Sequence, residues 1–61
     1  MLSKEEKQRL ALTYAKYYID NNLSEYEDML KEDSDVGKMT IKSDLAAVYL
    51  EALKFYDEQN L

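Results

Sequence analysis

The 61-residue chain contains no cysteine, histidine, tryptophan or proline, and only one glycine, Gly37. Without cysteine there is no disulfide, and without cysteine or histidine the usual zinc ligands are missing. The same absences exclude nucleophilic catalysis by Ser–His or Cys–His pairs. Gly37–Lys38 is followed by Met39 and no second glycine exists, so there is no phosphate-binding loop. The longest apolar run is the six residues from Leu45 to Leu50, and a bilayer span needs about 20. The first dozen residues are interrupted by the charged Lys4, Glu5, Glu6, Lys7 and Arg9 and offer no apolar core for a secretory leader. A cytoplasmic location with no membrane contact is the expectation.

What is present favours helices. Ala, Leu, Glu and Lys dominate, all good helix formers. A chain of this length buries only about 60 % of its unfolded surface. Its stability should be about 3–9 kcal/mol from the usual per-residue range. Small domains offset that weakness with disulfides, metals or a second subunit. Here only the second subunit remains.

Formal charge is −5 and unevenly spread. Residues 1–19 carry Lys4, Lys7, Arg9 and Lys16 against Glu5 and Glu6, a net +2. Residues 20–35 carry Asp20, Glu25, Glu27, Asp28, Glu32, Asp33 and Asp35 against Lys31, a net −6. The remainder is close to neutral.

Three helices are predicted. The first covers residues 3–20, opened by a capping box of Ser3 and Glu6. Glu5–Arg9 and Lys16–Asp20 are candidate i,i+4 ion pairs. Asn21–Asn22 closes the helix, since asparagine tolerates a left-handed terminus. The second helix covers 24–32, with Ser24 and Glu27 as another capping box and a narrow stripe of Leu23, Tyr26 and Leu30. Residues 33–40 read as a loop in which Gly37 supplies a positive φ. The third helix covers 41–59, capped by Thr40 or Ser43. Its Ile41, Leu45, Val48, Ala52 and Phe55 follow a 4-3-4-3 seam.

The first and third helices carry too much apolar circumference. By helical-wheel count each apolar arc covers roughly 220°, where a surface helix needs little more than 100°. The second helix spans about 15 Å against about 26 Å for the first. It cannot cover both neighbours. The expected architecture is all-α, a long–short–long three-helix bundle forming one domain over residues 1–61 and completed by dimerisation. Leu12, Tyr17, Tyr18, Ile19, Leu50 and Phe55 are the candidate interface. Tyrosine suits such a place, with its ring packed and its hydroxyl at water or a partner. Tyr17 and Tyr18 point to different sides of the first helix, while Tyr14, Tyr49 and Tyr56 are expected at the core margin.

Sites of chemistry are not expected. Carboxylates abound, but catalysis by a carboxylate pair needs a concave site that separates their pKa values. The reading is of a non-enzyme with no catalytic residues, no metal and no cofactor. Asp33, Asp35 and Asp44 fall at positions 1, 3 and 12 of a calcium-loop pattern, but Gly37 and Lys38 stand where a ligand and a glycine belong. These acids read as solvated charge and helix caps. The third helix carries Lys42 and Lys54 against four acids, so direct nucleic-acid binding is not expected. Glu25, Glu27, Asp28, Glu32, Asp33 and Asp35 form an acidic rim. Its plain meaning is solubility. Its sharper meaning is a row of carboxylates offered to a basic protein surface.

In composition the chain resembles the short, acidic, Lys-, Glu-, Asn- and Tyr-rich helical proteins of phages and mobile elements in AT-rich bacteria. That resemblance implies a regulator or inhibitor of a partner protein. The expected function is a protein-binding module acting as a homodimer. The alternatives are a self-assembling structural subunit and an antitoxin or immunity-type neutraliser.

Overall fold

The computed structural model describes residues 1–59, and they are helical almost throughout. Helix α1 runs Lys4–Asn21, α2 Leu23–Glu32 and α3 Ser34–Glu58. There is no strand among the described residues. Helix α1 opens on the predicted capping box. The Ser3 amide donates to Glu6 Oε1 at 3.0 Å and the Glu6 amide donates to Ser3 Oγ at 3.1 Å.

Asn22 separates α1 from α2 by a different route from the one expected. Its φ is −114°, outside the left-handed region. Its amide donates to the Ile19 carbonyl at 3.1 Å and its side-chain Nδ2 donates to the Tyr18 carbonyl at 2.9 Å. Its own carbonyl accepts from Glu25 and Tyr26. One residue therefore ends α1 and begins α2. Ser24 lies inside the second helix and its expected capping box does not form.

The predicted loop at 33–40 is helical apart from Asp33, and α3 begins at Ser34 instead of residue 41. Asp33 Oδ1 accepts from the Asp35 amide at 3.1 Å and the Val36 amide at 3.3 Å, which satisfies two free donors of the first turn. Thr40 and Ser43 are helix-interior residues. Thr40 Oγ1 donates to the Val36 carbonyl at 2.8 Å. Gly37 is buried and helical, so it supplies no positive φ. It permits close approach: a Cβ there would lie 2.9 Å from the backbone N and Cα of Leu30 and 2.8 Å from its Cδ2.

Both α1 and α2 pack on α3 and barely touch one another. Lys7, near the start of α1, reaches Asp57, near the end of α3, at 3.3 Å. The connection at Asp33 turns the chain back sharply. Helices α1 and α2 thus follow one another as a broken arm antiparallel to α3. The result is a rod of 44 × 16 × 15 Å. Its radius of gyration is 13.5 Å, against about 10.5 Å for a compact chain of this length. Its accessible surface is 4825 Å², against about 4,100 Å² for a globular chain of 7.2 kDa. Packing of α1 and of α2 on α3 fits a helical bundle, drawn out along α3.

The core is thin. Ala11 and Ala15 of α1, Tyr26 of α2, and Gly37 and Ala52 of α3 are the buried residues. Among the described residues no large side chain is fully buried.

Candidate protein-interaction surface

Alanines at the α1–α3 contact leave larger side chains on the flanks. On one side Leu12 of α1 and Leu45, Ala46 and Tyr49 of α3 line an open groove of about 730 Å³, bordered by Glu5, Gln8, Arg9 and Lys42. On the other, Tyr14 of α1 and Glu51, Ala52, Phe55 and Tyr56 of α3 line a second. These grooves face opposite ways. At 100° per residue, Leu12 and Tyr14 are about 200° apart on α1, and Ala46 and Phe55 about 180° apart on α3. In the second groove the rings of Phe55 and Tyr56 meet edge to face, with centroids 5.8 Å apart.

The predicted interface residues therefore do not form one patch. Leu12 lies in the first groove and Phe55 in the second. Tyr17 is 64 % exposed, Leu50 62 % and Phe55 54 %, and Leu12 and Tyr18 are also exposed. Ile19 is half-buried. Tyr49 and Tyr56 are half-buried, in keeping with a core margin, but Tyr14 is exposed. Tyr14 is displaced because Ala11 and Ala15 occupy the line of contact, and residue 14 falls about 60–100° to one side of them.

The polar groups divide into those engaged within the chain and those free of it. Tyr26 donates its hydroxyl to Asp44 Oδ2 at 2.8 Å, joining α2 to α3. Burial pushes the Tyr26 phenol up to about 12, and the Asp44 carboxylate adds to the shift. The bond went unread in the sequence. Its one signal was a polar residue, Asp44, in apolar register between Ile41 and Val48. At the other end of the rod, the Ser3 backbone N–H and then its side chain hold the Glu6 carboxyl below the usual carboxylate value. Neither Glu5–Arg9 nor Lys16–Asp20 closes to ion-pair distance. Those pairs lie along α1 in solvent, whereas Lys7 finds Asp57 across the helix contact.

All six residues of the predicted acidic rim are exposed. Asp33 caps α3, and Asp35 sits in its first turn, where the helix dipole favours negative charge. Glu25, Glu27, Asp28 and Glu32 of α2 enter no ion pair among the described residues. Asp33, Asp35 and Asp44 do not converge: among the described residues no three acidic side chains are placed to hold a metal ion. Nor is any helix among them long and apolar enough to cross a membrane. Comparison of the chain with protein-family models, curated proteins and solved structures finds no match.

Proposed function

We propose that this chain is a small protein-binding module that modulates a partner protein and acts as a homodimer. One observation carries the reading. Leu12, Tyr14, Tyr17, Leu50 and Phe55 are exposed, and among the described residues no large side chain is fully buried. Large apolar groups left in water on both flanks of a rod mark contact with other macromolecules. The four unpaired carboxylates of α2 supply a charged end that would speed capture of a basic partner. The compositional likeness to short regulatory proteins of phages and mobile elements supports a modulating role.

A test is affinity capture from cells at low salt, paired with sedimentation of the purified chain. A stoichiometric partner, lost at high salt or on combining Glu25→Gln with Asp28→Asn, supports the reading. A chain that stays monomeric at high concentration and retrieves nothing sinks it. The two opposed grooves favour a second reading, a self-assembling structural subunit. In that case assemblies grow beyond the dimer with concentration and retrieve no other protein.

A further inference from the structure

We infer that the first groove is the seam of an antiparallel, two-fold symmetric dimer, in which a second copy converts each helical hairpin into half of a four-helix bundle. This rests on the homodimer of the proposed function and specifies its face and direction.

The area is sufficient. A flat side of the rod, 44 by 16 Å, is about 700 Å² in projection, close to the ~800 Å² per partner of a stable interface. The side bearing Leu12, Leu45 and Tyr49 joins aliphatic and aromatic groups around the small Ala46. Ala46 is the midpoint of α3. A two-fold axis at mid-length brings it against the partner's Ala46, where small side chains let two helices approach.

Charge selects the direction. Helices α1 and α2 run the same way along α3. The step from core-facing Ala11 to Leu12 and the step from core-facing Tyr26 to Glu27 are each about 100° in the same sense. Leu12 and Glu27 therefore lie on the same side of the rod. So do Leu23 and Lys31, one turn either side of Glu27. In the antiparallel arrangement the start of each α1–α2 arm meets the end of the other. Arg9 stands as far from the start of the arm, Lys4, as Glu27 stands from its end, Glu32. Arg9 thus comes opposite the partner's Glu27, and Glu5 comes opposite the partner's Lys31 by the same count. Symmetry makes each pair occur twice. A parallel two-fold dimer on this face sets each arm against the partner's α3 and loses all four attractions.

Sedimentation equilibrium of the full chain at low salt, with circular dichroism to confirm folding, tests this through charge exchange. Wild type is expected to dimerise. Arg9→Glu and Glu27→Arg should each raise the dissociation constant about tenfold or more, since each turns two attractions into repulsions. The double variant should recover most of the loss. Ala46→Glu should give a folded monomer, and Phe55→Glu, on the opposite face, should leave the dimer intact. A monomeric wild type overturns both the dimer and its geometry. A dimer that ignores both charge reversals, or that the double variant fails to restore, overturns the geometry alone. Dissociation by Phe55→Glu with no effect of Ala46→Glu moves the seam to the other groove and likewise overturns it.

Discussion

Gly37→Ala is a sensitive probe of how α2 meets α3. In an open helix the change would stabilise by about 1 kcal/mol, because alanine holds helical backbone with less loss of entropy. Here the new methyl would meet Leu30 Cδ2 at 2.8 Å and the Leu30 backbone N and Cα at 2.9 Å. A leucine tip can rotate away, but backbone cannot. Relief requires α2 to shift on α3, and that shift loosens the burial of Tyr26 one turn earlier. Overpacking of this kind costs about 1–3 kcal/mol, and backbone obstruction places this case in the upper part of the range. After the propensity gain, a net loss of about 1–2 kcal/mol is expected. For a domain of this size each kcal/mol moves the midpoint by about 4–8 °C, so Tm should fall by about 5–15 °C. The measurement is thermal unfolding followed by far-UV circular dichroism at fixed protein concentration, since the proposed self-association would make Tm concentration-dependent. Adding Leu30→Ala should not rescue the variant, because two of the three contacts are backbone. A Tm that is unchanged or raised would refute the close approach, and rescue by Leu30→Ala would show that the side chain alone was the obstacle.

Tyr26→Phe should cost about 1–2 kcal/mol in urea unfolding by leaving Asp44 without its donor; an unchanged midpoint would mean that the bond contributes nothing. The Tyr26 phenol is raised from 10 to about 12 on folding, so its contribution is fully present below pH 10 and is lost as pH rises towards 12. Alkaline unfolding in that window should be shallower in Tyr26→Phe, and identical profiles would contradict it. Ser3→Ala should remove the capping box and cost about 1 kcal/mol, with amide hydrogen exchange accelerated first at the start of α1; protection unchanged there would count against the box. Asn22→Gly should destabilise by about 1 kcal/mol, since φ at Asn22 is negative and glycine gains nothing there; a stabilised variant would indicate a left-handed joint instead.

Much of the fold was legible because short-range chemistry determines it. Ser3 and Glu6 announce the start of α1, and the box closes as their spacing requires. The broad apolar arcs of the first and third helices match the exposure found on both flanks of the α1–α3 pair. The start of α3 was not legible. Asp33, Ser34, Asp35 and Gly37 have the chemistry of a turn, and the same residues serve as well for an N-cap, a first turn and a packing glycine. Which of these occurs depends on Leu30, seven residues before Gly37 and on another helix. The end-to-end placement of α1 and α2 was likewise hidden. It follows from the angle at Asn22, set by hydrogen bonds to Tyr18 and Ile19, and not from any apolar period. The exposure of Leu12, Tyr17, Tyr18, Leu50 and Phe55 was legible, but not their division between faces, because that division depends on which residues of α1 meet α3.

That division explains the thin core and the exposed flanks as one fact. Ala11, Ala15 and Ala52 line the contact of α1 with α3, and Gly37 that of α2. Small residues at a helix crossing draw the axes towards the short end of the usual 8–10 Å separation. The nearer two helices lie, the less room remains between them for leucine or tyrosine. Leu12, Tyr14, Tyr49 and Phe55 are therefore set on the flanks by the same alanines that hold the pair together. Burying a methyl group contributes about 0.8 kcal/mol, whereas burying a leucine or phenylalanine contributes about 1.5–3 kcal/mol. Tyr26 apart, an isolated hairpin of this design buries its smallest side chains most completely and leaves many of its larger ones partly or wholly in water. Covering one flank with another chain recovers the larger contribution, so folding and contact draw on the same groups. Stability should accordingly rise with protein concentration, and a substitution that enlarges Ala11 or Ala15 should weaken association as well as folding, because it spreads α1 from α3 and alters both grooves.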